Sequence, residues 1–341
     1  MTGSPGSRMA AEMAEQPQRL AALLDRAEEI AAMVRGVLPD PLAATVLVAR
    51  GSSDHAATVG AYLLEMATRR PVASASPSVQ TVYGSDTDLS GCLVVAVSQS
   101  GRTPEIVTSL ERARATGGRT VAVTNDAASP LAQAADAVVA LEAGDEQAVP
   151  ATKTVTAQLA AFALLAQGCG DVGFDAEVRD RVPDLVEELL ADPDPADEIA
   201  AWLTGRKRLA TVARGLLYGA AAETALKIEE TTSLFTTGYS AADLRHGPIA
   251  VASTGLPVLA LAHPGPAAAE VTELVDDLRE RGADARLAGP LGDVLPWPGD
   301  VPEVVAPLLA VVRAQQVALA LARRLMLDPD SPVGLAKVTH T

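Results

Sequence analysis

The hydrophobic pattern of this chain changes period many times. From Met9 to Leu38 the residues Leu20, Leu23, Leu24, Ile30, Met33, Val34 and Leu38 recur at near-helical spacing, which predicts one long helix ended by Pro39-Asp40-Pro41. Residues 1–8, mostly Gly, Ser, Pro and Thr, are expected to be disordered. Short apolar runs then alternate with helical patterns. Strands are predicted over 45–49, 71–75, 92–97, 120–124 and 137–141, and helices over 55–68, 104–116, near Leu131 and over 152–167. The run Cys92-Leu93-Val94-Val95-Ala96-Val97 is apolar throughout, as in a strand covered on both faces. Strands alternating with helices imply a parallel sheet between two helical layers.

An acidic stretch over 171–198, interrupted by Pro193 and Pro195, separates this run from a second one. There the pattern predicts a strand over 208–213, a helix over 218–233, a strand over 257–262 and a helix over 267–281. Weak strands follow over 285–287 and 304–306, then a helix over 308–326 and a tail after Asp328-Pro329-Asp330-Ser331-Pro332. The expected organisation is an N-terminal tail and helix (1–38), a first α/β domain (39–170), an acidic helical linker (171–198) and a second α/β domain with the tail (199–341).

The two α/β runs match at a constant offset of 164 residues. Ala49-Arg50-Gly51-Ser52-Ser53-Asp54-His55-Ala56-Ala57 lies over Ala213-Arg214-Gly215-Leu216-Leu217-Tyr218-Gly219-Ala220-Ala221, identical at five of nine positions, and 94–107 lies over 258–271. One ancestral unit in two copies accounts for the shared offset. The differences say more than the identities. Ser98, Ser100 and Thr103 face Ala262, Pro264 and Ala267, and Ser52-Ser53 face Leu216-Leu217.

In copy one these hydroxyls lie in turns between a strand and a helix, where free N–H groups and the positive end of the helix dipole favour an anion, most simply a phosphate. Small polar residues also make tight turns and caps. If they did only that, both copies would need them, so the asymmetry favours one anion site in copy one. The formal net charge of −16 makes local donors essential to such a site and argues against general nucleic-acid binding. No run of about 18 uncharged apolar residues predicts a membrane span. The polar start of the chain lacks a signal core, so a cytoplasmic location is expected. Cys92 and Cys169 have no metal-ligand spacing, and Cys92 fits a small core residue.

Copy two carries other chemistry. Glu223, Lys227 and Glu230 share one helix face at i, i+4 and i+7. Such a stripe is ordinarily a solvated ion pair. Ala220, Ala221, Ala222, Ala225, Leu226 and Ile228 leave this helix little polar face, so a half-buried position is expected. His246 precedes the Gly247-Pro248 breaker, and Lys337 lies in the tail; either is by itself compatible with a solvated residue.

Seven stretches together carry a resemblance: Arg50-Gly51-Ser52-Ser53, Ser98-Gln99-Ser100-Gly101, Ala143-Gly144-Asp145-Glu146, Ala151-Thr152-Lys153, Glu223 to Glu230, Arg245-His246-Gly247-Pro248 and Leu335-Ala336-Lys337. With them the chain resembles the double sugar-isomerase-domain (SIS) family. It is similar to the isomerase half of glutamine–fructose-6-phosphate aminotransferase and its stand-alone deaminase relatives. The resemblance implies two tandem doubly wound, flavodoxin-like parallel-sheet domains.

The resemblance also implies roles. Ser52, Ser53, Ser98, Gln99, Ser100 and Thr103 would hold the sugar phosphate, and Val149 would line the sugar. Glu230 would move a proton between C1 and C2, and His246 would open the ring, reaching in from a partner subunit of a homodimer with shared active sites. Lys337 would form an imine with the open-chain keto sugar, and Lys227 and Glu223 would be supporting catalytic residues. These roles suit their side chains: a carboxylate can take and return a carbon-bound proton, imidazole handles protons near neutral pH, and an amine can activate a ketone. No metal or organic cofactor is expected.

Two departures bear on the substrate. No glutaminase stretch precedes the sugar domains, so glutamine is not expected to supply nitrogen within this chain. Phe235-Thr236-Thr237 replaces the family's His-Ala-Glu, and Asp243 replaces a common Glu. The resulting expectation is glucosamine-6-phosphate deamination to fructose 6-phosphate and ammonia. Cleavage of a 6-phosphorylated fructosamine and a non-catalytic sugar-phosphate sensor are the alternatives.

Overall fold

The computed structural model of the protein describes residues 4–337. It contains two compact units. One is built from Gln18–Asp145 and Thr154–Asp180. The other joins the residues up to Pro17, Glu146–Lys153 and Arg181–Lys337.

The first unit holds five parallel strands, β1 (Ala44–Val48), β2 (Val72–Ser74), β3 (Cys92–Val97), β4 (Arg119–Thr124) and β5 (Ala137–Ala140), in the order β2-β1-β3-β4-β5. The second holds β6 (Arg208–Ala213), β7 (Phe235–Ser240), β8 (Pro257–Leu261) and β9 (Asp284–Ala288), also parallel, in the order β7-β6-β8-β9. Both sheets reverse direction after their second strand. With right-handed crossovers, the reversal puts successive helices on opposite faces, which is the doubly wound arrangement.

Each sheet has its own aliphatic core. Val48, Val94, Ala96, Ile106 and Leu110 pack together in the first unit, and Val212, Val258, Ala260, Leu274 and Leu278 in the second. The offset of 164 residues holds through the fold: β1, the helix Ser52–Thr68, β2, β3, the helix Pro104–Ala115 and β4 recur as β6, the helix Leu217–Thr232, β7, β8, the helix Ala268–Glu280 and β9.

Several expectations are corrected. The long N-terminal helix is three helices, Ser7–Ala14, Gln16–Leu24 and Ala27–Val37. Helical spacing survives a one- or two-residue break, so period alone did not reveal it. Residues 1–3 lie outside the described residues, but residues 6–9 are tied down: Gly6 N–H donates to Asp328 Oδ1, and Arg8 and Met9 N–H donate to the Asp330 carboxylate. That carboxylate caps a helix whose own N-cap, Gly6, has no side chain to do so. The acidic linker, expected to be helical, holds the helices Ala176–Ala191 and Asp194–Leu203. β7 was not predicted, although it is the repeat counterpart of β2. The weak strand over 304–306 is instead the turn that opens the helix Ala306–Arg324.

Candidate active site

In the first unit, β1 and β3 are adjacent although β2 comes between them in the chain. Ligands of such sheets bind at this reversal, beyond the strands' carboxyl ends. Both hydroxyl-rich turns leave from there. After β1, Gly51 has φ +58, and its carbonyl accepts from Asp54 and His55 N–H at 2.9 and 3.2 Å. Ser52 opens the helix Ser52–Thr68 half-buried, and buried Ser53 accepts from Gln158 Nε2 at 3.0 Å.

After β3 the chain folds tightly on itself. Gly101 N–H donates to the Ser98 carbonyl at 3.1 Å and to Ser98 Oγ at 3.2 Å, and Arg102 N–H donates to Ser100 Oγ at 3.3 Å. Gln99 is anchored through its carbonyl, which accepts from Asn125 N–H. Gly101 is obligatory: its φ is +61, and a Cβ there would lie 2.1 Å from Ser129 Oγ. Thr103 occupies the N-cap position of the helix Pro104–Ala115, but its hydroxyl makes no cap bond. It lies 3.4 Å from Ser98 Oγ instead. The Ser100 and Thr103 N–H groups find no acceptor among the described residues. Hydroxyls, N–H groups and a helix N-terminus thus meet in one turn, which suits a phosphate. Arg50, paired with Glu105 at 2.8 Å, ties the first turn to the same helix.

The equivalent crevice of the second unit is altered. Its turns keep their glycines, Gly215 at φ +63 and Gly265, but a carboxylate faces them. Glu303 Oε2 lies 2.6 Å from where a Cβ on Gly265 would stand, and Oε1 lies 3.8 Å from that of Gly215. Burial pushes the Glu303 carboxyl above its ordinary range. An acid side chain lies where the first copy offers hydroxyls, which explains physically why only one copy suits an anion.

The second unit instead assembles charge. Glu223, Lys227 and Glu230 follow one face of the helix Leu217–Thr232, which packs on the helix Ala306–Arg324. The expected half-burial is an underestimate for two of them. Lys227 is fully enclosed and Glu223 is 1 % exposed, whereas Glu230 keeps 22 % of its side chain open. Lys227 Nζ lies 3.4 Å from Glu223 Oε1 and donates to Glu230 Oε2. Burial alone would lower the Lys227 pKa; Glu223, Glu230 and Glu146 together outweigh it and raise it.

Glu146, whose role the sequence did not reveal, organises the neighbouring groups. Its Oε1 accepts from Thr152 N–H at 2.9 Å, and its Oε2 accepts from Lys337 Nζ at 2.7 Å. Lys337 is therefore a partly buried, paired ammonium and not a solvated tail lysine. Glu12 accepts the N–H groups of Gln147 and Ala148, two residues before half-buried Val149. Lys153, 1 % exposed, pairs with Glu15 at 2.9 Å. Sequence reasoning missed Glu12, Glu15 and the part played by Glu146, because their partners are distant in the chain. His246 stands apart, exposed at the C-terminal end of the short helix Ala241–Arg245.

Two parallel sheets, each reversing at a pair of turns, one pair hydroxyl-lined and the other faced by a carboxylate, define a duplicated doubly wound α/β fold. The SIS domain model matches residues 44–167 and 203–288, and the chain belongs to that family. It is 31% identical to the isomerizing glutamine–fructose-6-phosphate aminotransferase of Methanothermobacter thermautotrophicus over 96% of this chain and 56% of that protein. The chain thus spans little more than half the length of the curated relatives it matches. A candidate phosphosugar isomerase structure from Silicibacter pomeroyi DSS-3 superposes with a TM-score of 0.85 at 33% identity, covering 94% of this chain and 99% of that one. The glucosamine-6-phosphate deaminase of Thermotoga maritima shares the fold, with a TM-score of 0.78 at 20% identity over 98% of this chain and 100% of that one. Among the described residues no helix is long and apolar enough to cross a membrane.

Proposed function

We propose that this chain is a sugar-phosphate aldose–ketose isomerase that releases ammonia, converting glucosamine 6-phosphate and water to fructose 6-phosphate and ammonia. The observation that carries the reading is the group Glu223–Lys227–Glu230 with Lys337 held by Glu146, in a chain whose other repeat carries a hydroxyl-lined turn. In the open-chain amino sugar, Glu230 takes the C2 proton and returns it to C1, so the C2 amine becomes an imine. The Lys337 amine displaces ammonia from that imine, and water then releases the ketose and restores the lysine. The turns 50–54 and 98–103 hold the phosphate ester, with Gln99 and Val149 against the sugar.

His246 opens the ring. Its exposure on a single chain supports a role in the active site of a partner copy, and so a homodimer. In a 6-phosphorylated fructosamine the nitrogen is on C1: Glu230 would carry a proton from C1 to C2, and water would hydrolyse the resulting C1 imine to a free amine and an aldose phosphate, which is the second reading. The purified protein, incubated with a panel of 6-phosphorylated amino sugars and fructosamines, is assayed for ammonia, free amine and keto-sugar phosphate. Ammonia and fructose 6-phosphate from glucosamine 6-phosphate are expected. Binding of the panel without any turnover identifies a sensor and rejects the enzyme.

A further inference from the structure

Three segments far apart in sequence form a closed ring of contacts within the second unit. The tail's Asp330 accepts the Arg8 and Met9 N–H groups and so caps the helix Ser7–Ala14. One turn on, Glu12 of that helix accepts the N–H groups of Gln147 and Ala148. The residue before them, Glu146, returns to the tail by accepting from Lys337 Nζ at 2.7 Å. All three carboxylates are buried: Glu12 is 6% exposed, Glu146 4% and Asp330 8%.

A buried carboxylate costs free energy unless it is well paired, and each of these supplies one link of the ring. Lys337 lies beyond a tail in which Val333, Gly334, Leu335 and Ala336 are exposed, so the tail's own packing does not fix its amine. Its position comes from Glu146, and Glu146 lies in a loop whose next two N–H groups are held by Glu12.

We propose that Glu12 is a positioning residue: through the Gln147 and Ala148 amides it holds Glu146, and through Glu146 it sets where the Lys337 amine stands. The helix Ser7–Ala14 is then a working part of the site and not merely an N-terminal extension. The catalytic consequence rests on the isomerase reading above; the positioning itself does not.

The test compares Glu12→Ala and Glu12→Gln with wild type. With the sugar phosphate that turns over, Glu12→Ala lowers kcat about 100-fold, as expected for a reacting group displaced by about 1 Å, while KM changes little. Glu12→Gln keeps one acceptor oxygen and recovers part of the loss. Two readouts need no turnover. Hydrogen exchange at Gln147 and Ala148 accelerates in Glu12→Ala, and the ¹³C-methyl resonance of methylated Lys337 moves to the position of a solvent-exposed lysine side chain. If Glu12→Ala fails to fold, Glu12→Gln carries the same measurements. Unchanged exchange and an unmoved Lys337 methyl resonance overturn the proposal, as does a fall in activity that only tracks the loss of folded protein. A moved Lys337 methyl resonance in a protein inactive on every sugar tested upholds the positioning and rejects the isomerase reading.

Discussion

The Nζ of Lys227 lies 3.4 Å from Oε1 of Glu223, and neither side chain reaches solvent. On an exposed helix this i,i+4 pair would contribute a few tenths of a kcal/mol. Inside the protein the balance differs. Burial opposes the ammonium, but three carboxylates, Glu223, Glu230 and Glu146, hold it charged. Lys227→Met takes the cation from a carboxylate that remains enclosed. We expect a loss of about 3–5 kcal/mol in urea denaturation. An unchanged midpoint would show that the pair adds nothing to the fold.

Glu230 differs from Glu223 in being partly open, as a base that meets a ligand must be. Glu230→Gln is nearly isosteric and still accepts from Lys227. It should therefore fold normally, bind the sugar phosphate with little change in Kd, and lose turnover by about 10²–10⁴-fold, the range for a positioned general base. Turnover within a few-fold of wild type would remove Glu230 from the role of base.

Ser100 Oγ accepts from Arg102 N–H and lies in a turn with free donors around it. Hydrogen bonds to charged groups contribute about 1.5–3 kcal/mol. Ser100→Ala should accordingly weaken a 6-phosphorylated sugar by one to two orders of magnitude in calorimetric titration while leaving the unphosphorylated sugar unaffected. Equal weakening of both would mean that Ser100 contacts the sugar and not the ester.

Glu303 gives a pH dependence of definite sign. Burial raises its folded-state pKa above the ordinary 4.5. The native state then binds more protons than the unfolded one between 4.5 and the raised value, so stability from this group is present below pH 4.5 and is lost as pH rises through the folded value. Glu303→Gln should raise the unfolding free energy at pH 7.5 and leave it nearly unchanged at pH 4. An equal change at both pH values would reject burial of the charge as the cause.

Much of the fold was legible because periodicity is local. Short, mostly apolar runs marked β1, β3 and β6 to within a residue or two, and the constant offset announced the duplication. The same offset could have located β7, since β2 has its counterpart there, but Phe235-Thr236-Thr237-Gly238 lacks the apolar run that marks a covered strand. The break-up of the N-terminal helix and the turn at 304–306 were illegible for a related reason: one turn of helix and a short strand look alike in three residues.

The chain alone determined the two α/β units and the separation of hydroxyls from charged side chains, because those follow from residue type and spacing. The tertiary structure decided how far Lys227 is enclosed, that Thr103 leaves its cap bond unmade, that Glu303 faces the glycines of the second crevice, and that Glu12 reaches a loop 135 residues away while Lys337 reaches Glu146 across 191. Burial and long-range pairing depend on which surfaces meet after folding, and no local period along a chain records that.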